Sequence, residues 1–264
     1  MSVWDAYSDR ISTHGSTKYD AAFKREVRLL DSKLKDNLSY QLVDVCPREY
    51  TTNIEKRQSL KHRFSQNVTI IDSDNLNEKL LYTMPSEDME LGAVILWMDN
   101  MWLVTERDAN ATIRVKVKLT QCNHLLKWLS SDGDIMEQWC VVEDGTKYLT
   151  GEAEDRNFVV TRGDSRIAIQ LSRNSYTALL DRESRFLVDD PNTPHKLAYQ
   201  LTKPLKVGNL YRSGGIYKFV LQEVTSTEYD NHELGIADYY RYYPTDYDSG
   251  QNSNSPDAGK KVWL

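Results

Sequence analysis

Apolar positions fall into two periodicities along this chain, and they separate it into a short helical start and a long β remainder. Thr17-Lys18-Tyr19-Asp20 has a hydroxyl at its first position and an acid three later, the pattern of a capping box. Phe23, Val27, Leu30 and Leu34 follow at spacings of four, three and four. That is one helical stripe and predicts a helix from Thr17 to about Leu34. Residues Met1 to Gly15 are mixed and polar and read as a loose arm, with Trp4 and Tyr7 available to pin it to a neighbour.

Beyond the helix the period shortens to two. Ser39–Val45 alternates, and Val68–Ile71 and Lys79–Met84 read as further strands. Between them, Arg48 to Gln66 is polar and basic, a long excursion of the kind that is either functional or disordered. Val94–Met98 and Met101–Thr105 flank an Asp99-Asn100 connection, both of whose residue types tolerate a hairpin turn. Each flanking strand carries a tryptophan, Trp97 and Trp102, and together they make a strong cross-strand pair. After a turn at Asp108-Ala-Asn110, Arg114–Leu119 alternates charge with Val115 and Val117. This predicts an antiparallel meander in a small barrel, with Trp97, Trp102, Val104, Val115 and Val117 as its core.

From Asp134 a second β segment begins. Ile135–Val142, Lys147–Leu149, Asn157–Thr161, Arg166–Leu171, Tyr176–Leu180, Arg185–Val188, Lys196–Thr202 and Ile216–Val224 are strand candidates, and Glu233–Tyr240 is a possible last one. Asp, Gly, Asn or Pro separates nearly all of them, the rhythm of a sandwich or barrel. After Tyr243-Pro244 the chain turns polar and poor in apolar residues, as a mobile tail does. The expected organisation is an arm (1–16), a helix-plus-barrel domain (17–133), a β-sandwich-like domain (134–243) and a flexible tail (244–264). The expected fold class is therefore mainly β.

Composition narrows the function classes. A formal charge of −6 and a pI near 5.5 argue against a groove that grips nucleic acid through its phosphates. No apolar stretch approaches a membrane span, and the N-terminus does not read as a secretory signal, so synthesis in the cytosol is expected. The three cysteines, Cys46, Cys122 and Cys140, are widely spaced and odd in number, which excludes a disulfide scaffold.

The search for chemistry yields little. The chain has no nucleophile elbow, P-loop, dinucleotide fingerprint or zinc-protease motif. Cys122-Asn123-His124 reads as a strand end rather than as ligands or a nucleophile pair, because Cys140 alone does not complete a four-ligand zinc site. Asp189-Asp190 with His195 reads first as a strand entering an Asp/Pro turn rather than as a metal site. No catalytic, metal-ligating or cofactor-binding residues are assigned, and no cofactor is expected. Two surface candidates remain. One is the basic excursion, with Arg48, Lys56, Arg57, Lys61 and Arg63. The other is Tyr239-Tyr240-Arg241-Tyr242, typical interface material that a sugar- or base-stacking platform also uses.

Several words in the sequence carry a family resemblance. They are GAVILW, WLVT and CNHLL around the hairpin, STKYDAAFKREVRLLDSKLKDNLSY before it, and EQWCVVEDGTKYLTGE, GDSRIAIQLSRN, RESRFLVDDP, AYQLTKP and YDNHELGIADYY after it. Together, from about Ser16 to Tyr240, the chain resembles the neck proteins of tailed bacteriophages, of the head-closure (stopper) or head-tail connector kind. The resemblance implies a homo-oligomeric ring beneath the portal that closes the DNA exit after packaging and gives the tail a docking face. Its implied partners are copies of itself, a portal or adaptor protein, and a tail-completion or tail-tube protein. Genomic DNA would pass close by without specific contact, and no membrane is involved. The implied place is the virion neck, after synthesis in the host cytoplasm. The family core is a small barrel with long loops, one reaching toward the channel, and here the candidate is Arg48 to Asn67. The chain is longer than the short stoppers, through the added β-domain from about Asp134. The other reading of the residues is a tail-associated receptor- or carbohydrate-binding β-module.

Overall fold

A computed structural model describes residues 3–54, 62–85, 87–109, 113–144, 166–190, 192–207, 210–212 and 214–244. The expected strands at Lys147–Leu149 and Asn157–Thr161 and the expected tail (apart from Pro244) lie outside the described residues. The protein is mainly β, with a closed antiparallel barrel, a second curled sheet and a helical N-terminus.

The first fifteen residues depart from the expected loose arm. Val3–His14 form helix α1, and Lys18–Lys35 form α2 with Thr17 as N-cap. The capping box is complete: the Asp20 N–H donates to Thr17 Oγ1 at 3.0 Å, and the Thr17 N–H donates to Asp20 Oδ2 at 3.2 Å. The turn between the helices depends on Gly15 at φ +93°, where an added Cβ would sit 2.6 Å from Asp20 Cβ. What makes a helix of the arm is long range. Lys24 Nζ donates to the Ser12 and Ile11 carbonyls, and Arg28 Nη2 to that of Thr13. Two cations one turn apart on α2 thus satisfy the last carbonyls of α1 and oppose the negative end of its dipole.

The barrel is built from β1 (Tyr40–Cys46), β3 (Phe64–Asp72), β4 (Glu78–Thr83), β5 (Val94–Trp97), β6 (Asn100–Arg107) and β7 (Lys116–Gln121). Every neighbouring pair is antiparallel, in the order β1-β3-β4-β7-β6-β5, and β5 returns to β1 through Val45 opposite Ile95. The registers align Val45, Ile95, Trp102 and Leu119 with Val104, Val117 and Leu81 on one face, and all seven are buried. The expected core residues take graded places. Trp102, Val104 and Val117 are buried, whereas Trp97 and Val115 are half-buried. The Trp97 ring lies 5.5 Å from that of Trp102 and donates its N–H to Gln41 Oε1.

The hairpin turn sits one residue earlier than its sequence suggests. Trp97 pairs with Asn100, so Met98 and Asp99 are the two central residues, at φ 47° and 60°. Asn100 serves the turn from its flank, its Nδ2 donating to the Met98 carbonyl at 2.8 Å. A two-residue turn of this kind wants left-handed backbone at both centres, which Asn and Gly adopt readily and Met does not.

Contacts divide the chain into two units. The first is Met1–Arg48, Arg63–Gln121 and Tyr211–Gly214, and the second is Glu49–His62, Cys122–Leu210 and Gly215–Leu264. The division thus falls twelve residues before the expected one and is not contiguous. The reason is pairing: β8 (His124–Leu129) ladders along β9 (Ile135–Asp144), and β2 (Asn53–Ile54) also pairs with β9. In the first unit Gly214, at φ +125°, bridges Leu91 in parallel, and an added Cβ would stand 2.2 Å from the Leu91 carbonyl oxygen.

The second unit is a sheet in the order β11-β12-β14-β10-β9-β2, formed with β10 (Arg166–Ser172), β11 (Arg185–Val188), β12 (Leu197–Leu205) and β14 (Gly214–Val224). A short β13 (Leu210–Tyr211) pairs with β14. The sheet curls so that β11 lies against β8, and its inner face encloses Leu126, Trp128, Ile169, Leu171, Phe186, Leu201, Phe219 and Leu221. This is sandwich-like: one sheet covers one core from both sides.

Two expected strands are not strands. Tyr176–Leu180 contains a 3-10 turn at Thr177–Leu179, because Asn174 Oδ1 accepts the N–H groups of both Tyr176 and Thr177. Such a local side-chain bond competes with a ladder. Glu233–Tyr240 is a series of turns leading into α3 (Tyr239–Tyr242), with Asp238 at φ 54°.

Replacing Met98 by Asn together with Asp99 by Gly is expected to stabilise the protein by about 1–2 kcal/mol through relief of left-handed backbone. Urea denaturation reads the gain, and an unchanged or lower midpoint would show the turn to be unstrained. Trp102→Ala is expected to cost roughly 3–5 kcal/mol in the same assay, as removal of a buried large aromatic does.

Candidate functional site

The basic excursion is partly sewn into the second unit. Arg48 opens a 3-10 turn (Arg48–Tyr50), and its Nε lies 3.7 Å from Glu90 Oε2. The Tyr50 ring stacks on that of His62 at 3.8 Å. Asn53 and Ile54 pair with Glu137 and Met136 of β9. Arg63 stands beside Cys46: burial pushes that thiol's pKa up, and the guanidinium and its hydrogen bond oppose the rise without cancelling it. Lys56, Arg57 and Lys61 lie outside the described residues, so the five cations expected to act together are represented by Arg48 and Arg63.

A buried polar cluster, not visible as a motif, fixes the start of the excursion. Thr52 Oγ1 donates to Gln138 Oε1 at 2.6 Å. Asn174 Nδ2 reaches Thr52 Oγ1 at 2.7 Å, Thr51 Oγ1 at 3.1 Å and Gln138 Oε1 at 3.3 Å. Gln138 Nε2 and Thr177 Oγ1 both donate to the Ser172 carbonyl. Thr52, Gln138, Ser172, Asn174 and Thr177 are all buried, and none is ionisable. The cluster is a scaffold, since a satisfied network of this kind specifies packing and moves no proton.

The tyrosine run does not form an open strand with one ring set on each face. In α3 Tyr239 is buried, stacked on Tyr243 at 4.7 Å and edge-on to Tyr240 at 5.4 Å. Tyr240 Oη accepts from Asn231 Nδ2, and Tyr243 Oη donates to the Gly133 carbonyl at 2.7 Å. Arg241 pairs with Asp238 at 3.1 Å and lies over the Tyr229 ring. Tyr242, about half exposed, is the ring of the four-residue candidate most open to solvent.

The segment before these tyrosines is held by an ion-pair network. Arg185 on β11 contacts Asp230 Oδ2 and Asp238 Oδ1, each at 3.0 Å. The Asp230 side chain is fully buried and also accepts the N–H groups of Thr227 and Asp238. Burial alone raises the Asp230 pKa, but the two backbone donors and the Arg185 guanidinium outweigh it and hold the carboxyl below its ordinary value.

The weighed ligand groups do not assemble. Cys140 Sγ lies 3.5 Å from the His124 carbonyl, not its imidazole, and burial followed by the neighbouring Cys122 pushes the Cys140 thiol well above its ordinary pKa. A thiolate nucleophile needs the opposite. Asp190 Oδ1 accepts both Asn192 N–H groups in a local turn, and the His195 ring rests against that of His232. Among the described residues no group of three His, Cys, Asp or Glu side chains is placed to hold a metal ion.

Among the described residues the two most exposed aromatic rings lie on the helical hairpin. Val3, Trp4, Tyr7, Tyr19 and Leu29 stand in solvent, Trp4 at 77% and Tyr19 at 73% exposure. The stripe read from the sequence is covered mainly at its end: Leu34 is buried, while Phe23, Val27 and Leu30 are half-covered. Among the described residues no helix is long and apolar enough to cross a membrane.

Asp230→Asn is expected to cost on the order of 3 kcal/mol at neutral pH, because it removes the fully buried one of the two carboxylates that balance Arg185. The depressed folded pKa means that this stability is fully present above the unfolded value of about 4 and is lost as pH falls through the folded value. The substitution should therefore also flatten the acid limb of stability against pH. Urea titrations at pH 7 and pH 3 measure both effects, and equal losses at the two pH values would remove Asp230 from the acid response.

No family model matches the chain, and no curated protein matches it. Among solved structures, the inhibitor of motility MotI/DgrA of Bacillus subtilis aligns at 8% identity, over 81% of this chain and 97% of that one, with a TM-score of 0.17. A likeness that weak carries no argument about fold or function.

Proposed function

We propose that this protein is a structural, non-enzymatic subunit that works by docking, and that it forms a ring at the neck of a tailed-phage virion. In that place it closes the portal channel after DNA packaging and offers the tail its attachment surface. The observation that carries the docking part is the helical hairpin: a helix pair braced at its turn by Lys24 and Arg28 holds Trp4, Tyr7 and Tyr19 out to solvent. Large exposed aromatics on a well-held element are the residues that anchor interfaces. The neck assignment rests on the sequence resemblance. Its partners in this reading are other copies of the chain, a portal or adaptor protein, and a tail-completion or tail-tube protein, with DNA passing close by. Synthesis is in the host cytoplasm.

The alternative, a tail-associated carbohydrate or receptor binder, would use the tyrosines and the C-terminal sandwich as its binding face. Tyr239 is buried, and the hydroxyls of Tyr240 and Tyr243 are held by contacts within the protein, so Tyr242 is the ring of the run most open to a ligand in that reading.

Trp4→Asp with Tyr7→Asp is expected to leave the melting temperature within a few degrees of the parent, since both side chains are exposed. The same pair should abolish ring formation and incorporation into particles. Light scattering on the purified chain and imaging of particles check this. Normal rings from the double variant would remove the hairpin from the interface, and a position at the distal tip of the tail would overturn the neck reading.

A further inference from the structure

The outer face of the second sheet is covered at one end and open at the other. At the covered end, Leu187, Ala198 and Val224 pack with Ala237 of the segment held by Arg185. Toward the other end the face sinks into a trough of about 530 Å³ over β10, β14 and β12. A bulge between Leu201 and Lys203 shapes it: Thr202 drops out of register, and its hydroxyl donates to the Val220 carbonyl at 3.0 Å. Bulges bend a strand and raise its local twist.

The registers set the trough's side chains in three rows. Arg166 lies opposite Gln222, Ala168 opposite Val220 and Gln170 opposite Lys218. From β12, Lys203 joins the middle row and Leu205 the last, and Arg182 adds a cation from the turn before β11. The ion pairs among the described residues do not involve Arg182, Lys203 or Lys218. Among the described residues Glu143 brings an acid to the same face, opposite Ala168 on the far side of β10, where it accepts from Gln170 Nε2 at 3.2 Å, and Glu137, farther along β9, is paired with Lys127. A methyl-lined floor between cations, on a protein of net charge −6, is a local reversal of the protein's overall sign.

We propose that this trough binds an extended segment of a partner protein with an acid–x–aliphatic–x–acid pattern. Successive rows are two residues apart, about 6.6–6.8 Å along the strands, and an extended peptide repeats its side chains on one face at that same interval. One acid then meets Arg182, whose carbonyl accepts from Gln200 Nε2 in the Gln222 row; the aliphatic residue covers Ala168 and Val220 beside Lys203, and the second acid meets Lys218. The apolar floor is what favours a peptide over a nucleic acid. Phosphates make no use of it, and base stacking needs an open aromatic ring, whereas the trough's one aromatic, Phe219, is buried in the core on the other face. Three strands also span only about 10 Å, the width of a single extended chain with its side chains. The proposal is independent of the neck reading, because it is tested on the isolated protein.

The test uses the full chain and a fluorescein-labelled peptide, Gly-Ser-Glu-Ser-Leu-Ser-Glu-Ser-Gly, read by anisotropy. Comparison probes replace Leu by Ser or both Glu by Lys, and a labelled thymidine oligonucleotide serves as the nucleic-acid probe. Saturable binding of the parent peptide is expected, weakened at least threefold by loss of Leu and abolished by the Lys peptide. Lys218→Glu and, separately, Lys203→Glu should each weaken it tenfold or more with unchanged thermal melts, and Lys218→Met guards against misfolding of the reversed variant. Absence of saturable binding, equal binding by the reversed variants, or tighter binding of the oligonucleotide would each overturn the proposal. So would self-association that Lys218→Glu abolishes, since a second copy would then be the occupant.

Discussion

Closure of the first unit's sheet is the constraint from which its surface chemistry follows. Once β5 pairs back to β1, the six barrel strands have used their ladder edges on one another. A closed sheet offers no strand for a neighbour to extend, so contact with other chains falls to side chains and to attached elements. The attached element here is the helical hairpin, and it holds most of the first unit's strongly exposed aromatics. Rigidity and stickiness are thereby separated: the barrel supplies the one and the helices the other.

The second unit handles the same problem differently. Its sheet remains open, and its outer face carries two unlike treatments. One end is sealed by a segment whose attachment is electrostatic, through Arg185 on β11 and the carboxylates of Asp230 and Asp238. The other end keeps its cations beside a small apolar floor. A buried carboxylate with two backbone donors and a guanidinium is satisfied, so the seal is specific in place and orientation. Without it, the satellite cluster of Leu187, Ala198 and Val224 would face water.

The regular elements were legible in the sequence where local pattern and global packing agree. The α2 stripe and its capping box, the paired indoles of β5 and β6, and the alternation of β7 each carry their own signal. What was illegible depended on partners distant in sequence. Helix α1 owes its C-terminal satisfaction to Lys24 and Arg28, which no window over residues 3–14 contains. Asn174 converts a strand-like run into a 3-10 turn while its amide nitrogen reaches Thr51 and Thr52, more than a hundred residues earlier. The tyrosine run alternates like a strand with nothing to pair with, and a left-handed Asp238 sends it into a helical turn instead. The trough was hidden for a related reason: Arg166, Arg182, Lys203 and Lys218 lie on separate elements, and only the register makes them neighbours.

The polar cluster around Asn174 bears on the order in which the chain is completed. Thr52 and Ile54 belong to the second unit's interior but are synthesised before most of the barrel, while Gln138 and Asn174 emerge after it. A fragment starting at Cys122 would lack the hydroxyl that meets Gln138 and the β2 pairing on β9, leaving buried amides without their proper partners. The two halves are therefore not interchangeable modules joined by a linker. The partners of the early threonines leave the ribosome more than eighty residues after them.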